Sequence, residues 1–387
     1  MRLGEVILLA RVKRLKIKED KRIIAVSDIH GNLNGLKRLL EKVNLSSEDY
    51  LFIVGDMFEK GPQSLNTLRY IMELCKVYNV HPLNGNCDSV SAEIFHDRAH
   101  RELLNYMLWR KKSLLNEMCD ALSIKVTKET DMMKVKEALT RNFNEELQWI
   151  YALPDIIDTQ KLTFVHAGLA SRDLNNQIAA KVQCTDAFLK QGLYFDKYCI
   201  VGHWPVILYS EAIPNCNPII DKEHKIISID GGNILKRNGQ LNAFIIPHIH
   251  SEEFTFLAQD DLRTGIIADS QEEIGQSHYI PWAPGRQAPA RQGSLNSRLI
   301  HWIDNKIDIL EKDEEFSYCE HSSTKYRMWI LNKYIYKEND GYHCEDSTDY
   351  QIPVKAGERV SIVEKTKHGF LIKKNGITGW YFGKIKI

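Results

Sequence analysis

R-I-I-A-V-S-D-I-H-G, residues 22–31, is a short apolar run that ends abruptly in an aspartate, a histidine and a glycine. Its β-branched residues and its length predict a strand buried on both faces, running into a loop. Downstream, Asn32 to Val43 carries Leu33, Leu36, Leu39, Leu40 and Val43 at the i, i+3, i+4 spacing of an amphipathic helix. Tyr50 to Val54 (Y-L-F-I-V) predicts a second buried strand, ending in Gly55-Asp56. Ser64 to Val77 is helical in pattern, and Val80 to Leu83 is a third strand that ends in Asn84-Gly85-Asn86. Strand, helix, strand, helix and strand in this order predict a parallel sheet with helices on its faces. Sheets of that kind bind ligands at the carboxyl ends of their strands.

Further along the chain, residues 89 to 150 are mostly helical in pattern, with a polar stretch near Lys125 to Arg141, and predict a helical insertion. The sheet resumes at Leu162 to Val165, ending in His166-Ala167-Gly168, and at Tyr198 to Val201, ending in Gly202-His203. Ile226 to Ile229 ends in Asp230-Gly231-Gly232, and Leu241 to Ile246 follows the turn at Asn238-Gly239. Composition then changes. Pro281, Pro284, Gly285, Pro289 and Gly293 mark residues 266–325 as a linker or extended arm. From 326 to 387 the segments are short and β-like, at Arg359 to Val363, Phe370 to Lys373 and Gly379 to Phe382, with Asn375-Gly376 as a hairpin signal. The expected division is therefore a catalytic domain over 1–265, the arm, and a small β domain over 326–387.

Lys+Arg and Asp+Glu both number 51, so bulk electrostatic binding to nucleic acid is not expected. No apolar run approaches the roughly 20 residues that a membrane span needs. The apolar stretch Val6 to Ala10 is followed at once by Arg11, Lys13 and Arg14, unlike a signal peptide. Residues 1–20 are expected to form an irregular or β-like lead-in or a surface helix, and the protein to be cytoplasmic. Eight scattered cysteines without a C-x-x-C pair exclude the common zinc-ribbon spacing and do not resemble a disulfide framework.

Six side chains with metal-ligating chemistry each stand at the end of a predicted strand: Asp28, His30, Asp56, Asn86, His166 and His203. A lone aspartate or histidine at a strand end is usually a solvated loop residue; all six in this order are hard to obtain by accident. Two carboxylates, three imidazoles and an amide oxygen suit Mn, Fe or Zn better than Ca. Asp56 is the candidate to bridge two cations, which with a hydroxide would leave a net positive site for a phosphoryl dianion. An H-x-H at His248 and His250 could bind metal but is surplus to this set. Arg172, after the H-A-G loop, is either a phosphate contact or a plain surface arginine.

D-I-H-G, G-D-M-F-E-K-G-P, G-N-C-D, F-V-H-A-G and V-G-H resemble the motifs of calcineurin-like metallophosphoesterases over roughly residues 22–250. Trp149-x-x-x-Leu153-Pro154 ahead of F-V-H-A-G is similar to the phosphoprotein phosphatase branch. The resemblance implies an α/β four-layer sandwich, with two central mixed sheets flanked by helices. It also implies one divalent metal held by Asp28, His30 and Asp56 and a second by Asp56, Asn86, His166 and His203, with manganese the leading candidate. Lys60 falls where that branch has a phosphate-binding arginine, and Asn86 and Arg172 are the other candidate phosphate contacts. Cys87 stands where the branch has a histidine that protonates the leaving group, paired with an acid at Glu59. Cysteine there is similar instead to a phosphodiesterase branch, which normally ends in G-H-x-H where this chain has Gly202-His203-Trp204-Pro205. Glu59, Asp88 and Cys87 are thus the candidate catalytic residues beside Asp56.

The expected activity is hydrolysis of phosphomonoesters, with phosphoserine or phosphothreonine in a protein, or a small phosphoester, as substrate. The alternative is hydrolysis of phosphodiesters or of anhydrides such as dinucleoside tetraphosphates. A non-catalytic scaffold would show a disrupted ligand set, and all six residues are present. V-K-A-G-E-R-V-S-I-V and G-I-T-G-W-Y-F resemble a bacterial SH3-like module, which implies a small β-barrel. Its Trp380, Tyr381 and Phe382 would either line a peptide or glycan groove or fill the barrel core.

Overall fold

The computed structural model of the chain describes residues 8–96, 100–273, 275–282 and 304–387. It divides into two compact units, one of residues 1–204 and 218–260 and the other of 205–217 and 261–387. Among the described residues no helix is long and apolar enough to cross a membrane.

The first unit is built on two sheets. In one, the parallel strands Ile23–Val26, Tyr50–Val54 and Asn79–Leu83 lie side by side, with Leu241–Ile246 and Thr255–Gln259 added antiparallel at the edge. The other carries Val12–Arg14, Ile156–Asp158, Leu162–Val165, Tyr198–Val201, Ile226–Ser228 and Ile219–Asp221, in that order. Strand residues alternate between faces, and here both faces are covered. Ile23, Ala25, Phe52 and Val54 meet Leu162, Phe164 and Ile200 between the sheets, where Phe52 and Phe164 stack at 3.8 Å. Ile24, Val26, Leu51 and Ile53 face the helices Leu33–Lys42 and Ser64–Val77. On the far side, Val165, Cys199 and Val201 pack against Val182 and Phe188. This double burial is why the strands are continuous apolar runs rather than alternating ones.

Within 86–151 the chain forms the short helices Asn86–Ala92, His100–Trp109, Leu114–Ala121, Met132–Asn142 and Asn144–Tyr151. Their buried faces, through Leu103, Met107, Leu115, Met118 and Leu139, extend the core of the first sheet's helical side.

The second unit is β-rich and corrects the expected arm. Arg263–Ile267 pairs with Arg359–Lys365, and Tyr279–Ile280 with Ser347–Thr348. Lys306–Lys312 and Phe316–His321 pair with each other in a further five-stranded sheet. The stretch 266–325 therefore supplies strands, although its Pro- and Gly-rich portion, 283–303, lies outside the described residues. Residues 205–217 also join this unit, through Cys216 N–H to the Gly376 carbonyl (2.9 Å) and Thr378 N–H to the Pro214 carbonyl (3.0 Å). The 1–265 domain is thus not continuous. Asn375 and Gly376 both have positive φ, 50° and 80°, as a tight hairpin turn requires. Of the three aromatics considered for a groove, Trp380 and Tyr381 are buried, and their Nε1–H and O–H donate to the carbonyls of Thr348 and Asp269. Only Phe382, 51% exposed, presents its ring to solvent.

Candidate metal centre

Five loops that leave strand ends in the first unit converge. Asp28, His30, Asp56 and His203 all adopt left-handed backbone conformations, with φ between 50° and 65°. That conformation is costly away from glycine and concentrates at functional sites. Two glycines show why the neighbouring positions are small. A Cβ on Gly55 would lie 2.5 Å from His166 Nδ1, and one on Gly202 would lie 2.4 Å from Asp28 Oδ2. Ligand side chains fill the space that a Cβ would take.

Asp56 sits in the middle, with its two oxygens turned to different neighbours. Oδ1 is 3.3 Å from His166 Nε2 and accepts from Cys87 N–H at 2.8 Å. Oδ2 is 3.8 Å from His30 Nε2 and 3.7 Å from Lys60 Nζ. His30 Nε2 is also 3.8 Å from Asp28 Oδ1, and Asp28 Oδ2 accepts from His203 N–H at 2.9 Å. A single carboxylate bordering both histidine groups is what a bridging ligand requires.

Each imidazole is held by its outward nitrogen. His166 Nδ1 contacts the Val54 carbonyl at 2.9 Å, His203 Nε2 the Asp186 carboxylate at 3.1 Å, and His30 Nδ1 faces the Phe58 carbonyl at 3.4 Å. Anchoring one ring nitrogen this way fixes the tautomer and presents the other as a lone pair, the usual arrangement of metal-ligating histidines. Burial lowers the pKa of both His30 and His166, so the rings are held neutral, as ligands must be.

The Asn86 amide lies between two of these lone pairs, 2.9 Å from His203 Nδ1 and 3.2 Å from His166 Nε2. With its NH2 turned inward it would donate to both rings and to the Gln183 carbonyl. With its oxygen inward, three lone pairs converge, an arrangement that a cation stabilises. Donor atoms about 3 Å apart are spaced as neighbours around one ion with bonds of ~2.1 Å. The carboxylates tell the same story. Asp28 Oδ1 is buried without a hydrogen-bond partner. Burial and the Asp56 charge raise Asp28 to about 7. Asp56, despite its own burial, is held well below the ordinary carboxylate range by His166, Lys60 and His30. Asp28, Asp56 and His166, and likewise His30, Asp56 and Cys87, each bring their donor atoms within 4.8 Å of one another. The donor set fits divalent cations.

Other expected site residues lie differently. Asp88 is spent on the backbone, accepting from Met57, Phe58 and Gly85 N–H groups at 2.9–3.2 Å, and it braces the Asp56 loop rather than facing the ligands. Glu59 accepts from the Tyr106 hydroxyl at 2.7 Å and from Leu114 N–H at 2.9 Å, which ties the loop to the helical insertion. Arg172 stacks on Tyr194 at 4.0 Å and pairs with Asp196 at 3.4 Å, with no contact to the ligand cluster. Cys87 is buried; desolvation and the Asp56 charge push its thiol well up. His248 and His250 are exposed, and His250 faces Glu19. Sequence reasoning missed Asp186 and Tyr106, which no motif marks. It also passed over Asp230, a strand-end aspartate beside two glycines that is 1% exposed, with Oδ2 unpartnered and its pKa raised by burial and by Asp28.

Two apposed sheets thus gather buried imidazoles and carboxylates at their strand ends, a donor cluster fit for divalent cations. The chain belongs to the calcineurin-like phosphoesterase family, whose model matches residues 21–251. A relative from Vibrio parahaemolyticus, named symmetrical bis(5'-nucleosyl)-tetraphosphatase, is 31% identical over 161 residues, covering 34% of this chain and 59% of that protein. One from Hamiltonella defensa with the same name is 48% identical over 64 residues, 16% of this chain and 22% of the relative. The chain spans only about a fifth of the length of the first such relatives, between 18% and 22%. A Saccharomyces cerevisiae protein serine/threonine phosphatase structure matches with a TM-score of 0.42 and 11% identity, covering 66% of this chain and 85% of its own.

Proposed function

We propose that the chain hydrolyses phosphoric anhydrides and other phosphate compounds with stabilised leaving groups, using two divalent cations. Asp28, His30 and Asp56 would hold one ion, and Asp56, Asn86, His166 and His203 the other, with Mn, Fe or Zn suited to the donors. Bound there, the ions would supply an activated water and stabilise charge on the phosphoryl oxygens. The rest is done by the protein. Asp186, Val54 and Phe58 hold the imidazoles in register. Lys60, whose Nζ lies beside Asp56 and His30, offers the phosphoryl group a cation as a point charge rather than a bidentate fork.

The observation that carries the choice of substrate is the fate of the candidate acids. Asp88 and Glu59 are committed to internal hydrogen bonds, and the group beside Asn86 is a buried thiol. A leaving alkoxide such as that of serine needs a proton donor, worth about 10²–10⁴ in rate. A leaving phosphate or nucleotide does not. The relatives named as tetraphosphatases support the same class. Phosphomonoester hydrolysis, including that of phosphoserine, is the second reading, supported by a ligand set and a Lys60 that serve any phosphoryl dianion. A leaving-group series decides between them: aryl phosphates and dinucleoside polyphosphates should turn over far faster than alkyl phosphates. Rates independent of leaving-group pKa would defeat the anhydride reading.

A further inference from the structure

The helix His100–Trp109 ends in Trp109-Arg110-Lys111-Lys112, three cations in a row, and this turn is clamped to the candidate metal centre. Lys60 N–H donates to the Lys112 carbonyl at 2.9 Å, and Glu59 reaches Tyr106 and Leu114 on either side. The turn is fixed by its backbone. Arg110 N–H bonds the Tyr106 carbonyl, and Asn116 Nδ2 donates to the carbonyls of Met107, Arg110 and Lys111.

Arg110 lies near enough to the buried Glu59 to favour its carboxylate form. Among the described residues, though, none of the three cations is in an ion pair, whereas Arg69, Lys76 and Lys197 of the same unit all have acidic partners. The Arg110 guanidinium lies 4.1 Å over the Trp109 ring, and its Nε is buried with no acceptor. A helix dipole favours a cation at its C-terminus but does not explain a buried donor left unsatisfied, which is costly unless an acceptor arrives in the working state. Charge of one sign beside a site that takes anions raises the local concentration of substrate.

We propose that the turn Arg110–Lys112 is a second anion subsite, holding phosphoryl groups beyond the one being cleaved, so that the preferred substrates carry a polyphosphate chain. Lys60 and the candidate metal ligands take the scissile phosphoryl group, and Arg110, stacked on Trp109, takes the next along the chain with Lys111 and Lys112 at the rim. The inference rests on the anhydride reading above.

The test is inhibition of p-nitrophenyl phosphate hydrolysis by inorganic tripolyphosphate and by orthophosphate, with the full chain at constant free Mn²⁺. The wild type should bind tripolyphosphate at least about tenfold more tightly than orthophosphate, the gain expected of one or two charge-assisted contacts. Arg110→Gln should lower that ratio about three- to tenfold and Arg110→Lys by less, because charge is retained. These substitutions spare the backbone bonds that hold the turn. An unchanged ratio in the triple Arg110→Gln, Lys111→Gln, Lys112→Gln variant would overturn the subsite. If p-nitrophenyl phosphate is not turned over, calorimetric titration of the Mn²⁺-loaded chain with each anion reads the same ratio. A wild-type preference lost in the triple variant then upholds the subsite while the catalytic reading fails alone.

Discussion

Asp56 and Gly202 show how closely the centre is drawn at the scale of single residues. Gly202 leaves no room for a methyl group, since a Cβ would meet Asp28 Oδ2 at 2.4 Å. Gly202→Ala should therefore push Asp28 out of place and lower activity at least about a hundredfold, because small misplacements of reacting groups carry penalties of that order. Elemental analysis of the variant should show metal loss alongside. An active, metal-replete Gly202→Ala would mean that Asp28 is not a ligand. Cys87 makes a different prediction. Cys87→His would place an imidazole beside Asn86 and should narrow the gap between aryl and alkyl phosphates in a leaving-group series. Most of the candidate centre was legible because each ligand follows an apolar strand, and four of them, His30, Asp56, Asn86 and His203, adjoin a glycine. Asp186 was not, because it reaches His203 from an irregular segment that shares no sequence period with it.

The helical insertion is joined to the centre through Glu59, and this junction belongs to the scale of elements. Tyr106→Phe removes the donor to a buried Glu59 oxygen and should destabilise the chain by about 1–3 kcal/mol, read from the urea midpoint. Burial raises Glu59 to about 7, above its ordinary 4.5. The folded chain then binds a proton that the unfolded chain has released, so this residue's contribution to stability falls as pH rises from about 4.5 through 7. Glu59→Gln, uncharged throughout, should flatten that part of the stability profile, and an unaltered profile would show that Glu59 does not titrate there. At the same scale, long or fully buried elements such as Tyr50–Val54 and Ser64–Val77 were read correctly to the residue. Ile156–Asp158 and Ile219–Asp221, with three residues each, are too short to show a period. Lys306–Lys312 alternates charged and apolar residues only as far as Ile309, where a bulge breaks the period, and it follows a Pro- and Gly-rich sequence that obscured it.

Across the whole molecule, the first unit concentrates uncompensated polar groups at one end of its sheets: neutral buried imidazoles, an unpartnered Asp28 oxygen and carboxylates that repel one another. Cations bound there stabilise the folded state by mass action. Mn²⁺ at a hundred times its dissociation constant should add about 2.7 kcal/mol per site, visible as a rise in Tm that EDTA reverses. The second unit holds none of the six candidate ligands. The central claim is that Asp56 joins two metal sites, and metal content measures it most directly. Elemental analysis after loading with Mn²⁺ should find about two ions per chain in the wild type, about one in Asn86→Ala and almost none in Asp56→Asn. Two ions retained in Asp56→Asn would contradict the account.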